Sequence, residues 1–125
     1  MIYGVGIDEI EVARMATKLE RTPGLKERLF TEDEIRYCES KRFRAQHFAA
    51  RFAAKEAFFK ALGTGWSRGF AFVEIEIVND NTGKPACLMH GKIERFARQE
   101  GIVKAHVSMT HLKGTAAAMV VLEKE

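Results

Sequence analysis

Over the first eight residues apolar positions alternate with small or polar ones. Tyr3, Val5 and Ile7 fall on one side, and Gly4, Gly6 and Asp8 on the other. A period of two predicts a short strand ending at Asp8. The paired glycines leave room on their side for a close approach by backbone or ligand. From residue 9 to 21 the period changes. Val12, Met15, Ala16 and Leu19 share one face at 100° per residue, while Arg14, Lys18 and Arg21 line the opposite face, with Ile10 and Thr17 beside them. This is an amphipathic helix, ended by Pro23-Gly24. Thr31 and Glu34 read as a capping box that opens a second helix, with Phe30 placed to staple onto Ile35. Residues 44–62, rich in Ala and Phe, predict a long helix that stops at Gly63. Alternation returns at 70–78, where Ala71, Val73, Ile75 and Ile77 oppose Phe72, Glu74 and Glu76. A turn at 79–83 leads to a return strand, Pro85 to Met89. Ile93, Phe96 and Ala97 mark a short helix stopped by Gly101. Two closing strands, Val103 to Met109 and Thr115 to Leu122, flank a Lys113-Gly114 turn. Helices come early and strands late, with hairpin-like links. The pattern predicts one α+β domain over residues 1–125, a largely antiparallel sheet packed with a long Ala/Phe-rich helix.

Composition narrows the class. A chain of 125 residues that is 46% hydrophobic can build a core without covalent staples. Its longest apolar run, Ala116 to Leu122, falls well short of the ~20 residues of a membrane span. No basic region precedes the apolar N-terminal stretch, which argues against a signal peptide. Cys38 and Cys87 form no metal-ligand spacing, and two unclustered cysteines fit a reducing cytoplasm. The formal charge is only +3, but bases outnumber acids between Arg14 and Lys60. Such a surface suits nucleic acid, an acidic protein or a phosphorylated small molecule. A nucleic-acid module would use Arg14, Lys18 and Arg21 with the Lys41-Arg42-Phe43-Arg44 cluster. Its stacking aromatics should be exposed, whereas Phe48, Phe52 and Phe59 stand at core spacing.

Two carboxylates are out of place. Glu56 falls within the Phe and Ala face of the long helix, with Lys60 one turn further on. A carboxylate there is costly unless it is paired or bound. Either the two residues form an i,i+4 ion pair, or Glu56 is a ligand or base and Lys60 a phosphate contact. Asp8, at the predicted strand end, is either the N-cap of the next helix or a hard oxygen ligand. Mg2+ takes one or two protein carboxylates and completes its shell with water and phosphate oxygens, and Asp8 and Glu56 could be such a pair. Gly4-Val5-Gly6 lacks the third glycine of a dinucleotide fingerprint, and Gly63-Thr64-Gly65 lacks the continuation of a P-loop. The latter serves as a helix C-cap whose amides and Thr64 could touch a phosphate. His111 follows Ser108-Met109-Thr110 at a strand end.

Several motifs occur together and in order: Gly6-Ile7-Asp8 with Glu11 and Arg14, Arg51-Phe52-Ala53-Ala54-Lys55-Glu56-Ala57 with Lys60-Ala61, Gly63-Thr64-Gly65, Gly83-Lys84-Pro85, and Ser108 to His111 before an Ala-rich strand. Over nearly its whole length the chain resembles the bacterial holo-[acyl-carrier-protein] synthases, the short class of 4′-phosphopantetheinyl transferases. The resemblance implies transfer of the phosphopantetheine arm of coenzyme A to a serine of apo-acyl carrier protein, with release of adenosine 3′,5′-bisphosphate. It implies a Mg2+-dependent cytoplasmic enzyme of fatty acid biosynthesis, a homotrimer with active sites between subunits, and neither a nucleic acid nor a membrane as partner. Carried over by residue, Asp8 and Glu56 would hold Mg2+ and Lys60 would neutralise the pyrophosphate. Arg51, Lys60, Gly63, Thr64, Lys84, Pro85, Ser108 and His111 would contact coenzyme A. Arg14, Lys18 and Arg21 would dock the carrier protein. Either Glu56 or a metal-bound water would take the serine proton.

Overall fold

The computed structural model describes residues 1–63 and 69–125. Strand β1 (Ile2–Glu11) leads into α1 (Val12–Arg21), the short α2 (Leu25–Leu29), α3 (Glu32–Glu39) and the long α4 (Arg44–Leu62). A hairpin of β2 (Ile75–Asn79) and β3 (Pro85–Met89) follows, then α5 (Gly91–Glu100), β4 (Ile102–His111) and β5 (Thr115–Lys124). Strands β1, β5 and β4 form one antiparallel sheet in that order, and β2 and β3 form a second, separate one. The predicted α+β class and its antiparallel sheets are present, and α4 packs along the inner face of β1 and β5.

That packing depends on two glycines. A Cβ on Gly6 would lie 1.9 Å from the carbonyl oxygen of Ala57, and one on Gly4 would lie 1.9 Å from that of Ala61. The strand therefore lies directly on the helix backbone, which only glycine allows. The glycine side of β1, read from the sequence as room for a close approach, is the side that meets the helix. Gly4, Gly6 and Ile10 turn inward, while Val5 and Ile7 are 54% and 65% exposed on the outer face.

β1 does not end at Asp8. Its ladder with β5 continues to Glu11 opposite Thr115, because β5 offers ten residues of partner edge and each further pair satisfies backbone groups. Asp8 sits in mid-strand opposite Ala118, and Glu11, without a side-chain bond, holds the N-cap position of α1. The predicted strand at 70–78 begins only at Ile75. Phe72–Glu74 forms a 3-10 turn that sends Phe72 inward, with ring centroids 5.5 Å from Phe52 and 5.3 Å from Phe59.

The Thr31/Glu34 capping box is formed. Glu34 also does something the capping pattern does not disclose. Its carboxylate lies fully buried against Lys55 at 2.7 Å and accepts the Ile77 N–H at 2.8 Å. Lys55 donates further to the carbonyls of Leu29 at 2.7 Å and Phe72 at 3.2 Å, so all three ammonium protons are used. Burial without this pairing would be prohibitive. The pair ties α4 to α2, α3, the 3-10 turn and β2.

Candidate active site

Because β1 crosses α4 at Gly6, Asp8 emerges beside the last turns of the helix. The Lys60 ammonium donates to Asp8 Oδ1 at 2.9 Å and to the Ile7 carbonyl at 3.0 Å. The cation thus bridges helix to strand. It is to Asp8, and not along the helix to Glu56, that Lys60 gives its ion pair. Among the described residues no donor is hydrogen-bonded to the Glu56 carboxylate. Burial chiefly, and then the charge of Asp8, hold its carboxyl above the usual range, with Lys60 and Lys18 partly offsetting them. Asp8, Glu56, Phe52, Arg14 and Lys18 line one open cleft of about 290 Å³.

A cation between Asp8 and Glu56 would relieve the repulsion that raises Glu56. The two hard oxygen donors sit on a strand and a helix held together by glycine packing. Among the described residues no group of three or more His, Cys, Asp or Glu is placed to hold a metal. Two carboxylates match the few protein ligands that Mg2+ needs and fall short of a four-ligand zinc site.

Arg14 and Lys18 border this cleft, and Arg21 continues their stripe to the exposed end of α1. Thr17 is exposed beside them. Ile10 is 9% exposed, lies in β1 and joins the core, so it does not flank the stripe on the helix as expected.

A second group of the sequence-predicted residues gathers elsewhere. Arg51, Pro85 and His111 line a pocket of about 170 Å³ with Tyr37, His47 and Asn79. Arg51 is 2% exposed. Its Nη2 donates to Asn79 Oδ1 at 2.6 Å, its guanidinium lies 4.1 Å from the Tyr37 ring, and its buried Nε has no partner. His111 Nδ1 donates to Gln46 Oε1 at 2.8 Å. Lys84 is exposed at the hairpin turn beside Pro85, its backbone N–H held by Asp80 Oδ1 at 3.0 Å. Glu56 follows Arg51 by five residues, about 140° around the helix, so one chain presents the two groups on different sides of α4.

Ser108 does not join His111. The two differ in strand parity, and Ser108 is exposed on the outer face opposite Met119. Gly63 caps α4 at φ 83°, and Thr64 lies outside the described residues. Tyr37, His47 and Asn79 carry no chemical signal in their spacing, except that His47 precedes Arg51 by one helical turn. A larger cleft of about 570 Å³, between α1 and the start of α4, contains none of the predicted catalytic residues.

Residues 4–118 match the family described as the 4′-phosphopantetheinyl transferase superfamily. A holo-[acyl-carrier-protein] synthase of Geobacter sp. strain M21 is 47% identical over 99% of this chain and all of its own. The crystal structure of the holo-[acyl-carrier-protein] synthase of Neisseria meningitidis superposes with a TM-score of 0.89 at 33% identity, covering 99% of this chain and 100% of that one. A holo-(acyl-carrier-protein) synthase from Bacillus anthracis, in complex with CoA (3′,5′-ADP), gives 0.82 at 36% identity, over 100% and 99% of the two chains.

Proposed function

Because the chain belongs to the 4′-phosphopantetheinyl transferase superfamily, we propose that it acts as a holo-[acyl-carrier-protein] synthase. It moves the phosphopantetheine arm of coenzyme A to a serine hydroxyl of apo-acyl carrier protein and releases adenosine 3′,5′-bisphosphate. The observation that carries this reading is the meeting of Asp8 and Glu56 in one cleft bordered by Arg14 and Lys18, with Lys60 paired to Asp8. A cleft with paired carboxylates, a partly free ammonium and a basic rim suits a pyrophosphate carried to an acidic protein.

Asp8 and Glu56 would hold Mg2+, which when bound supplies charge neutralisation to the pyrophosphate oxygens. Phosphoryl transfer asks the protein mainly for alignment and electrostatic stabilisation. Lys60 spends two of its three ammonium protons on Asp8 and Ile7, leaving one for a phosphate oxygen, where it would stabilise charge on the leaving bisphosphate. The serine hydroxyl must lose a proton as its oxygen attacks phosphorus. Asp8 Oδ1 accepts from Lys60, while Glu56 accepts no hydrogen bond among the described residues. That makes Glu56 the freer of the two carboxylates to take that proton; a metal-bound water is the other candidate base.

Arg51, Lys84, Pro85 and His111 would bind coenzyme A from a neighbouring subunit of a homotrimer. Their separation from Glu56 around α4 supports that arrangement, as do the exposed apolar side chains of Val5, Ile7 and Met119 on the outer sheet face. The proposed setting is the cytoplasm and fatty acid biosynthesis. Both cysteines are free, and among the described residues no helix is long and apolar enough to cross a membrane. The test is direct: incubate the protein with apo-acyl carrier protein, coenzyme A and Mg2+, and weigh the carrier protein by mass spectrometry. A mass gain of one phosphopantetheine, absent when Mg2+ is chelated, is expected. An unmodified carrier protein with Mg2+ present would refute the reading.

A further inference from the structure

His47 lies four residues before Arg51, so α4 sets its imidazole beside the buried guanidinium on one face. Across the pocket β4 ends at His111, with ring centroids 4.9 Å apart and the rings inclined at 60°. Tyr37 of α3 closes the other side of His47, edge-on at 5.9 Å. The titratable groups that face His47 are Tyr37 from α3, Lys41 from the segment after it, Arg51 on α4 and His111 from β4. Among the described residues that line the pocket none is a carboxylate. Two imidazoles and a guanidinium thus meet with no carboxylate in the lining they share, the acid beside Arg51 being Asp33 in the adjoining pocket, and the buried Arg51 Nε still lacks an acceptor. His111 donates its Nδ1–H to Gln46, so its Nε2 is the ring nitrogen left for a further partner. An arrangement of this kind is completed by an anion with several acceptor oxygens.

We propose that His47 is a further substrate-binding residue, facing His111 across the pocket to take a phosphoryl group of coenzyme A, and that it takes up a proton as the phosphoryl group enters. This rests on the assignment of the pocket to coenzyme A. Without an anion, burial and then the charges of His111, Arg51 and Lys41 hold His47 below the ordinary histidine range, so it is neutral near pH ~7. A phosphoryl dianion reverses the balance and raises it. Binding then consumes a proton, so affinity grows as pH falls through the interval between the bound and free values, by up to about tenfold per pH unit. It levels off below the free value. The ligand's own phosphate, with a second pKa of ~6, titrates in the opposite sense. The informative quantity is therefore the difference between the wild type and His47→Phe, which keeps a ring against His111 and removes the proton site.

Calorimetric titration of coenzyme A into the whole protein, in two buffers of different ionisation heat, counts the protons taken up. Near pH ~6.5, where an ordinary histidine titrates, the wild type should take up roughly half a proton or more beyond His47→Phe. It should also bind several-fold tighter, with the advantage shrinking to about twofold or less near pH ~8. His47→Gln, polar and non-titrating, gives the same comparison if the phenyl ring disturbs the packing. Equal proton uptake in wild type and both variants overturns the proposal. His111→Gln separates the two ideas. If it weakens coenzyme A while His47→Phe leaves proton uptake unchanged, the pocket assignment stands and the role of His47 falls. If neither His111→Gln nor Arg51→Lys alters coenzyme A affinity, both fall together.

Discussion

Glu56 is half-buried, raised by its surroundings and without a hydrogen-bond donor among the described residues, whereas Asp8 is bridged to Lys60. The two carboxylates are therefore not equivalent, and their removal should not have the same effect on folding. Glu56→Gln keeps shape and removes the charge that is hardest to hold. It is expected to lower turnover by at least about 100-fold, the scale of an electrostatic or proton-transfer contribution, with an unchanged or slightly raised Tm. Near-normal turnover at low Mg2+ would sink the metal assignment. Asp8→Ala should lose as much activity and also some stability, because it leaves Lys60 unpaired. The single-residue anomalies legible in the sequence were those that broke a pattern: an acid on an apolar helix face and an acid beside two glycines. Glu34 and Lys55 were not legible. Glu34 already had a sufficient local explanation as the capping-box partner of Thr31, and nothing in spacing links it to a lysine 21 residues on. The one available signal was that Lys55 lies within the Ala and Phe run of a helix buried on most sides.

Between elements, contact geometry replaces periodicity as the deciding quantity. The alternation of β1 is real, but the rule that the apolar side faces inward fails where the inner partner is a helix backbone only glycine can approach. Gly6→Ala tests this. The added Cβ meets the Ala57 carbonyl, which belongs to a helix packed on β1 and β5 and cannot yield cheaply. A loss of about 2 kcal/mol or more is expected, a fall in Tm of roughly 10 °C. A neutral Gly6→Ala would show that strand and helix are further apart. The buried pair binding α4 to its neighbours makes a sharper forecast. Lys55→Met alone should cost about 3–5 kcal/mol, because it leaves the Glu34 carboxylate buried and uncompensated. Lys55→Met with Glu34→Gln should recover more than half of that in urea melts, since Gln still offers an oxygen to the Ile77 N–H. At the level of α1, the basic stripe runs from the cleft edge at Arg14 and Lys18 to Arg21. Charge on such a stripe acts mainly on encounter with an acidic partner, and salt screens it. Arg14→Glu with Arg21→Glu should raise the KM for carrier protein at least about tenfold, leave that for coenzyme A within about twofold, and flatten the salt dependence of the rate. Equal losses for both substrates would mean that α1 supports the cleft and does not dock the partner.

For the whole molecule, one chain carries two separate groups of candidate residues. The Asp8, Glu56 and Lys60 group and the Arg51 and His111 group lie on different sides of α4, and the outer face of the β1–β5–β4 sheet leaves Val5, Ile7 and Met119 exposed. A closed ring of three subunits would cover that face and bring the first group of one subunit against the second group of the next. The periodicity of β1 could not reveal this, because alternation separates two faces without saying which one is buried. The exposure of Val5 and Ile7, together with the separation of the predicted coenzyme A residues, appears only once the chain is folded. The arrangement predicts complementation between inactive chains. Glu56→Gln spoils the first group and leaves the second intact, while His111→Gln does the reverse. In a random mixture of equal amounts, a junction is fully wild type only when its Glu56 comes from the His111→Gln chain and its His111 from the Glu56→Gln chain. Two independent halves give about one junction in four. Purification of co-expressed variants through two different tags keeps only mixed rings, in which one junction of the three is wild type, so these should regain roughly a third of wild-type turnover, while each variant alone stays near background. Ile7→Glu added to both chains should abolish the recovery and shift the protein to monomer in sedimentation. If both groups served one site within a single chain, no mixture could exceed its parents, and activity that stays at background in the doubly tagged oligomer would exclude the shared site.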